Sequence, residues 1–266
     1  MFNLKQLAVT ATDVTLNNPH AYDEGLAQYH TLLNRDWRAT MQREGSSLRR
    51  LLREANAKTV LDAACGVGGA AAALAGLGFT VTAVCSNLKM LARAHATAAS
   101  HRVQQKMTFA LANITDIPTK LEGTFDAVLL RSGYLARCTS DAEIAQTLRM
   151  LHQKVVAGGS MVVSLPDFDT LLNDRPRFVP RHIHDEGERQ HILFDTYDWQ
   201  DTAPPTVVFS TFIVSGAGEE FTTKRFAITY RTLLRDEVEK ALLAAGFSEV
   251  RAESAAWETT FVAKKA

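Results

Sequence analysis

Apolar residues recur along the chain in two rhythms. From residue 21 to about 55 the rhythm is helical, with Tyr22, Leu26, Tyr29, Leu33 and Trp37 on one face and then Leu48, Leu51, Leu52 and Ala55. Residues 1–20 follow neither rhythm and read as irregular. Past residue 58, short apolar runs alternate with helical stretches. The runs at 59–63, 79–84, 107–111, 125–130 and 160–165 are almost continuously apolar, as strands buried on both faces are. Between them, 70–77 reads as an alanine-rich helix stopped by Gly78, and 88–99 as a helix with Asn87 at its N-cap. Ser140-x-x-Glu143 is a capping-box pattern that opens a further helix. That helix is expected to carry Ile144, Leu148, Leu151 and Val155 on one face and to end at Gly158 and Gly159. The β-α-β-α alternation predicts an α/β fold, a parallel sheet with helices on both faces.

At Pro166 the rhythm changes. Prolines become frequent, and 191–197, 206–214 and 221–230 alternate apolar with polar, the period of an antiparallel meander. Residues 234–245 return to a helix closed by Gly246, and 249–253 and 259–263 finish as strands. The chain therefore divides into an N-terminal helical lid (1–57), a core (58–165), a β-rich insertion (166–232) and a C-terminal completion of the core sheet (233–266). The lid and the insertion are expected at the carboxyl ends of the parallel strands, where an open α/β sheet binds ligands.

Composition narrows the function classes. Of 266 residues, 46% are apolar and 22% charged, an ordinary globular balance. Lysine plus arginine equals aspartate plus glutamate at 29 each, which leaves no electrostatic footprint for nucleic acid or a membrane surface. The three cysteines, Cys65, Cys85 and Cys138, are scattered and form no CxxC pair, so neither a disulfide framework nor a metal site is expected. The start of the chain lacks a signal-peptide pattern and no apolar run reaches membrane length, so a cytoplasmic protein is expected.

The candidate chemistry lies in Val60-Leu61-Asp62-Ala63-Ala64-Cys65-Gly66-Val67-Gly68-Gly69. A buried strand ends in a carboxylate and runs into a turn whose glycines let backbone approach a ligand and tolerate positive φ. The next helix offers free N–H groups. The spacing Gly66-x-Gly68-x-x-Ala71 also fits a dinucleotide fingerprint. Asp62 opposes that reading, because a carboxylate there repels a pyrophosphate and suits an ammonium. The helical lead-in before the strand opposes it as well. The acidic residue that a dinucleotide site carries about 20 positions on is absent, since Cys85 lies there.

This segment resembles motif I of the class I S-adenosylmethionine (SAM)-dependent methyltransferases. The continuation GFTVTAVCSNLKMLARA resembles the second-strand motif of the glycine N-methyltransferase-like branch, GF-x-VTGVD-x-S-x-x-ML. Residues 112–114, 125–130 and 158–163 resemble the following strands and turns in order and spacing. The resemblance implies a Rossmann-like, seven-stranded, mostly parallel sheet whose last strand is antiparallel, with an N-terminal helical lid and an antiparallel β insertion. It implies SAM as cofactor, S-adenosylhomocysteine (SAH) as product, and a small-molecule acceptor methylated on nitrogen or oxygen. A homodimer is compatible with it. Asp62 would engage the methionine ammonium, and Ala64, Gly66 and Gly68 would line the methionine and ribose. Cys85, Ser86 and Asn87 would face the ribose and adenine edge. Asn113 and Ile114 would contact adenine, and the backbone of Leu130 and Arg131 would lie at the sulfonium end. Tyr22, Tyr29 and Trp37 would close over the cofactor.

Two departures stand out. Cys85 replaces the family's acidic residue, which implies weaker SAM binding, an altered cofactor or non-methylating chemistry such as cyclisation or decarboxylation. A catalytically decayed binding partner is a further alternative. Pro166 stands where glycine N-methyltransferase carries the arginine that pairs with its amino-acid substrate, so glycine is not the expected acceptor. Methyl transfer needs mainly alignment and exclusion of water. Arg131, Tyr134 and Arg137 follow the fourth strand and would orient the acceptor, or form an ordinary solvated loop. His182 and His184, with Asp185, Glu186 and His191, would supply a base or a substrate cap, or be a solvated turn; their spacing matches no metal template.

Overall fold

The computed structural model describes residues 12–14 and 19–266. Of the segment read as irregular, residues 1–11 and 15–18 lie outside the described residues. In chain order the elements are β1 (Thr12–Val14), α1 (Pro19–Ala27), α2 (His30–Leu33), α3 (Trp37–Glu54), β2 (Thr59–Asp62), α4 (Gly69–Gly76), β3 (Thr80–Cys85) and α5 (Leu88–Ser100). Next come β4 (Met107–Leu111), α6 (Ile117–Lys120), β5 (Phe125–Leu130), α7 (Asp141–His152), β6 (Val155–Pro166) and α8 (Phe168–Asp174). The chain finishes with β7 (Phe178–Glu186), β8 (Arg189–Gln200), β9 (Thr206–Ala217), β10 (Glu220–Arg231), α9 (Arg235–Ala244), β11 (Phe247–Ala255) and β12 (Glu258–Lys265). They form two compact units, one of residues 36–174 with 231–266, the other of the residues up to 35 with 175–230.

The first unit holds a seven-stranded sheet in the order β11-β12-β6-β5-β2-β3-β4. Strands β2 to β6 are mutually parallel, and β12 runs antiparallel to both β6 and β11. This is the expected mostly parallel sheet with an antiparallel last strand. Its apolar runs are buried on both faces, with Val60, Leu61, Val128, Leu129 and Leu130 fully enclosed. Chain order reverses between β2 and β5, so a switch-point crevice lies beyond their carboxyl ends.

The helices follow their patterns with instructive exceptions. The lead-in expected as one helical stretch is broken in three. Asn34 Nδ2 donates to His30 O at 2.8 Å, and Asp36 Oδ1 accepts the Ala39 N–H at 2.9 Å to start α3 afresh. The last of the three, α3, buries Met41, Gly45, Leu48, Leu51 and Leu52. A Cβ on Gly45 would come within 2.8 Å of Ala73 Cβ, so that glycine sets the close approach of α3 to α4. Helix α7 starts at its expected cap, Ser140, whose Oγ accepts the Glu143 N–H at 3.2 Å. It ends at His152, and Val155 begins β6 rather than continuing the helix. Gly158 and Gly159 lie inside that strand, not at a helix end. The β5–β6 register shifts there, Gly158 has φ +74°, and a Cβ on Gly159 would meet Asp126 O at 2.8 Å. These glycines form a bulge.

The second unit is a five-stranded sheet in the order β1-β10-β9-β8-β7. The antiparallel insertion expected from the alternating pattern is present, with two additional strands. Residues 12–14, within the segment read as irregular, pair in parallel with Lys224, Arg225 and Phe226. Strand β7 does not show in the alternation. It is an edge strand with Pro180 and a bulge between Pro180 and His182, so most of its positions face water and carry polar side chains. The stretch holding His182, His184, Asp185 and Glu186, for which one expectation was a solvated turn, is therefore strand, and His184 pairs with His191 across β7 and β8.

Candidate functional site

The site begins with Asp62, the last residue of β2, which is 3% exposed. Burial pushes its carboxyl up to about 6. The Arg131 guanidinium and the Ala64 N–H pull the other way, and Glu44 adds to the rise. Arg131 follows β5 and pairs with Glu44 Oε2 of α3 at 3.3 Å. Two carboxylates thus share one arginine at the switch point. Burial disfavours the ionised form of Asp62, and a cation beside it would offset that cost.

The turn after Asp62 is pinned to the neighbouring strands. Ala63 N–H donates to Leu129 O at 3.0 Å and Cys65 N–H to Val84 O at 2.9 Å. Gly66 has φ +56° and Gly68 φ +79°, so both occupy the left-handed region. Their missing side chains serve different ends. Among the described residues a Cβ on Gly66 would meet only Met90 Cε, at 3.7 Å, an ordinary contact. A Cβ on Gly68 would lie 2.8 Å from Ala94 Cβ and 2.9 Å from Ala94 Cα, so Gly68 admits α5. Trp37 fills a comparable gap. Its ring reaches within 2.6 Å of where a Cβ on Gly69 would stand, which seats α3 on the start of α4.

At the end of β3, Cys85 is buried and its Sγ accepts the Asn87 N–H at 3.5 Å. The Cys65 Sγ donates to Gly66 O at 3.7 Å, and neighbouring Cys85, burial and the Asp62 carboxylate hold the Cys65 thiol well above its usual range. Asn87 caps α5 as expected, its Oδ1 accepting the N–H groups of Lys89 and Met90 at 2.9 and 3.1 Å. That oxygen is committed to the helix. Ser86 is exposed beside it. After β4, Asn113 is exposed and its Nδ2 donates to Asp116 Oδ2 at 3.3 Å, while Ile114 is buried. Leu130 is fully buried. Tyr134 and Arg137 lie half-buried on the loop after Arg131, where the Tyr134 N–H donates to Arg131 O at 3.3 Å.

The remaining candidates belong to the five-stranded unit. Tyr22 is buried there. Tyr29 packs its ring on Phe226 at 5.8 Å and accepts from Lys224 Nζ. His182 is fixed by the Leu32 carbonyl at 2.8 Å, and His184 is exposed. His191 Nδ1 lies 2.7 Å from Ser215 Oγ. Among the described residues no group of three or more His, Cys, Asp or Glu side chains forms a metal site, and no helix is long and apolar enough to cross a membrane.

Glu44 and Cys65 are the site residues that motif reading misses. Glu44 lies three residues after Met41 and four before Leu48, so helical spacing puts it at the edge of the buried face of α3. A carboxylate there needs a partner, and the pattern alone does not name it. Cys65 reads as a packing residue, because nothing local shows that β3 brings a second thiol to it.

Residues 60–159 match the family model described as a methyltransferase domain. Over 164 residues the chain is 27% identical to glycine/sarcosine N-methyltransferase of Aphanothece halophytica, covering 61% of this chain and 60% of that one. Over 186 residues it is 29% identical to human glycine N-methyltransferase, covering 65% and 61%. The matches thus span about three-fifths of the length of these relatives. Among solved structures, the sugar N-methyltransferase KedS8 from Streptoalloteichus sp. superimposes with a TM-score of 0.72 at 20% identity, over 97% of this chain and 98% of that one. CalS10, an amino pentose methyltransferase from Micromonospora echinaspora solved with SAM bound, gives 0.68 at 17% identity over 85% and 92%. Residues 60–159 thus match a methyltransferase-domain model, and the chain shares the fold of the sugar N-methyltransferase and the amino pentose methyltransferase named above.

Proposed function

We propose that the chain transfers a methyl group from SAM to a nitrogen or oxygen of a small metabolite. The observation that carries this reading is the buried Asp62 carboxylate beside a turn whose Gly66 and Gly68 both take positive φ. A diphosphate would be repelled there; an ammonium would be held. The residues present fit SAM. Asp62 would bind the methionine ammonium, the backbone at Ala64 and Gly66 would lie along the methionine and ribose, and Cys85 and Ser86 would border the ribose. Asn113 and Ile114 would flank adenine. When bound, SAM supplies a methyl group already activated on a sulfonium. The chain then has to bind, orient and exclude water. Arg131 and Tyr134, on the loop after β5, are the groups placed to orient an acceptor.

The named relatives are glycine N-methyltransferases and the named neighbours a sugar N-methyltransferase and an amino pentose methyltransferase, so amines head the acceptor panel. Glycine does not lead it. Pro166 ends β6, and no arginine lies among residues 164–169. The deciding experiment is calorimetry with SAM, SAH and NAD, followed by SAM-to-SAH turnover across amines, amino sugars and phenols. Binding of SAM and SAH with turnover of one acceptor class is the expected result; binding of NAD alone contradicts it. Cys85 in the family's acidic position favours a second reading, SAM-dependent chemistry without methyl transfer, marked by SAM binding and consumption with no SAH formed.

A further inference from the structure

The loop after β5, which carries Arg131 and Tyr134, holds a disfavoured backbone conformation that a residue near the far end of the chain supports. Ser132 has φ +57° and Gly133 φ +70°, so two consecutive residues occupy the left-handed region and the first is not glycine. A residue with a Cβ stays there only where its surroundings dictate it. Ser164, in β6, supplies those surroundings. Its carbonyl accepts the Gly133 N–H at 3.0 Å, and its Oγ accepts the Ser132 N–H at 3.4 Å. Ser164 is 1% exposed, and its hydroxyl proton is donated to Glu258 Oε1 at 2.6 Å, a short charge-assisted bond. A hydroxyl has one proton, so with that proton directed at Glu258 a lone pair is left to face the Ser132 N–H. Glu258 thereby fixes the rotor on which the turn depends. It begins β12, and the hairpin tip beside it is fastened to the same strand end by the Asp167 N–H, which donates to Trp257 O at 2.8 Å. The β6–β12 ladder is a backbone pairing and does not itself call for a carboxylate here.

We propose that Glu258 is a positioning residue for the acceptor: through Ser164 it holds the Ser132–Gly133 turn, and the turn sets Arg131 and Tyr134 where they orient the acceptor. The acceptor role rests on the proposed reading of the chain as a methyltransferase; the hold on the turn rests on the geometry alone. Arg131 precedes the turn and Tyr134 follows it. Arg131 is fixed at its far end by Glu44 Oε2 at 3.3 Å, and the Tyr134 N–H returns to Arg131 O at 3.3 Å. Relaxation of Ser132 to an ordinary φ would rotate the peptides on either side of it and re-aim both side chains. Methyl transfer is limited by alignment, so a re-aimed loop slows turnover more than it weakens cofactor binding. The groups assigned to the cofactor, Asp62, Gly66 and Cys85, lie at or just after the ends of β2 and β3 and not on this loop.

The test uses the full chain as wild type, Glu258→Ala, Glu258→Gln, Ser164→Ala and the two alanine changes together. Three quantities are read: amide hydrogen exchange at Ser132, SAH affinity, and steady-state methyl transfer to the best acceptor of the amine panel. Glu253→Gln, which breaks an ion pair with Arg50 on the other strand of the same hairpin, is the control. Glu258→Ala and Ser164→Ala are expected to speed exchange at Ser132 at least about fivefold. Their kcat is expected to fall at least about tenfold, with acceptor KM and SAH affinity within about threefold of wild type. The double change is expected to lose no more than either single one, because both act through one hydroxyl. Glu258→Gln keeps a carbonyl oxygen for the same proton, so it is expected within about threefold of wild type, as is Glu253→Gln. Unchanged exchange at Ser132 in Glu258→Ala overturns the proposal, as does a kcat that holds at the wild-type level or falls together with SAH affinity. If wild type transfers methyl to no acceptor, the methyltransferase reading fails and the acceptor role of Glu258 with it, while exchange at Ser132 still decides whether Glu258 holds the turn.

Discussion

The ends of β2 and β3 are neighbours in register, yet they solve the same problem in opposite ways. Asp62 pairs with Ala83 across the two strands, two residues before Cys85. At β2 a carboxylate is retained despite nearly complete burial, and its ionised form is supported by the Ala64 N–H and by an arginine shared with Glu44. At β3 the carboxylate that the family carries is absent, and a thiol accepts the N–H instead. The first end keeps charge at a cost to stability. The second relinquishes charge, and with it a strong acceptor for hydroxyl groups. Ligand recognition on this sheet is thus expected to depend unequally on the two ends, with the amino-acid end dominant and the ribose end weak.

The largest expected effect comes from removing the dominant end. Asp62→Asn should weaken SAM and SAH binding by about two decades, the loss of a charge-assisted contact. The same change should stabilise the unliganded chain. Asp62 has a folded pKa of about 6, above its ordinary value, so its contribution favours folding at low pH and is lost as pH rises from about 4 to about 6. Above that window Asp62→Asn should gain about 1–3 kcal/mol, read from denaturant midpoints at pH 8. Loss of both affinity and stability would contradict the comparison.

The turn that leads out of β2 comes next. Gly68→Ala adds strain at φ +79° and an overlap with the Ala94 backbone, and should cost about 2–4 kcal/mol in the same denaturation assay. Gly66→Ala meets no such overlap among the described residues and should cost only about 1–2 kcal/mol, while weakening SAH binding by adding a methyl to the turn. A smaller effect is expected from restoring the weak end. Cys85→Asp should tighten SAM binding by about one to two decades, since a carboxylate accepts both ribose hydroxyls. Unchanged affinity would show that the thiol is merely tolerated. Smallest is Glu44→Gln. It removes a group that raises the Asp62 carboxyl, so the pH below which SAH binding weakens should move down, with no more than about a fivefold change at pH 8.

What the sequence disclosed follows the same division. Strands buried on both faces read as continuous apolar runs, so β2 to β6 and the sheet they build were legible, as were the Asn87 and Ser140 caps. The glycine turn was legible as a ligand turn, but not the separate roles of its glycines, because which missing Cβ faces a helix depends on where α5 lands. Val155, Gly158 and Gly159 misled, since a strand bulge and a helix stop use the same residues. Strand β7 was hidden because an edge strand with proline and exposed polar positions carries little alternation. Glu44 and the nearness of Cys65 to Cys85 depend on tertiary neighbours that no local pattern encodes.

The most direct test is a calorimetric titration of SAH and SAM into the reduced chain across pH 8 to pH 5. Saturable binding below millimolar concentration is predicted at pH 8, unchanged down to about pH 6 and weakening by about tenfold per unit below it as Asp62 takes up its proton. Absence of binding at millimolar ligand, or binding that ignores pH through this window, would contradict the role given to the carboxylate at the end of β2.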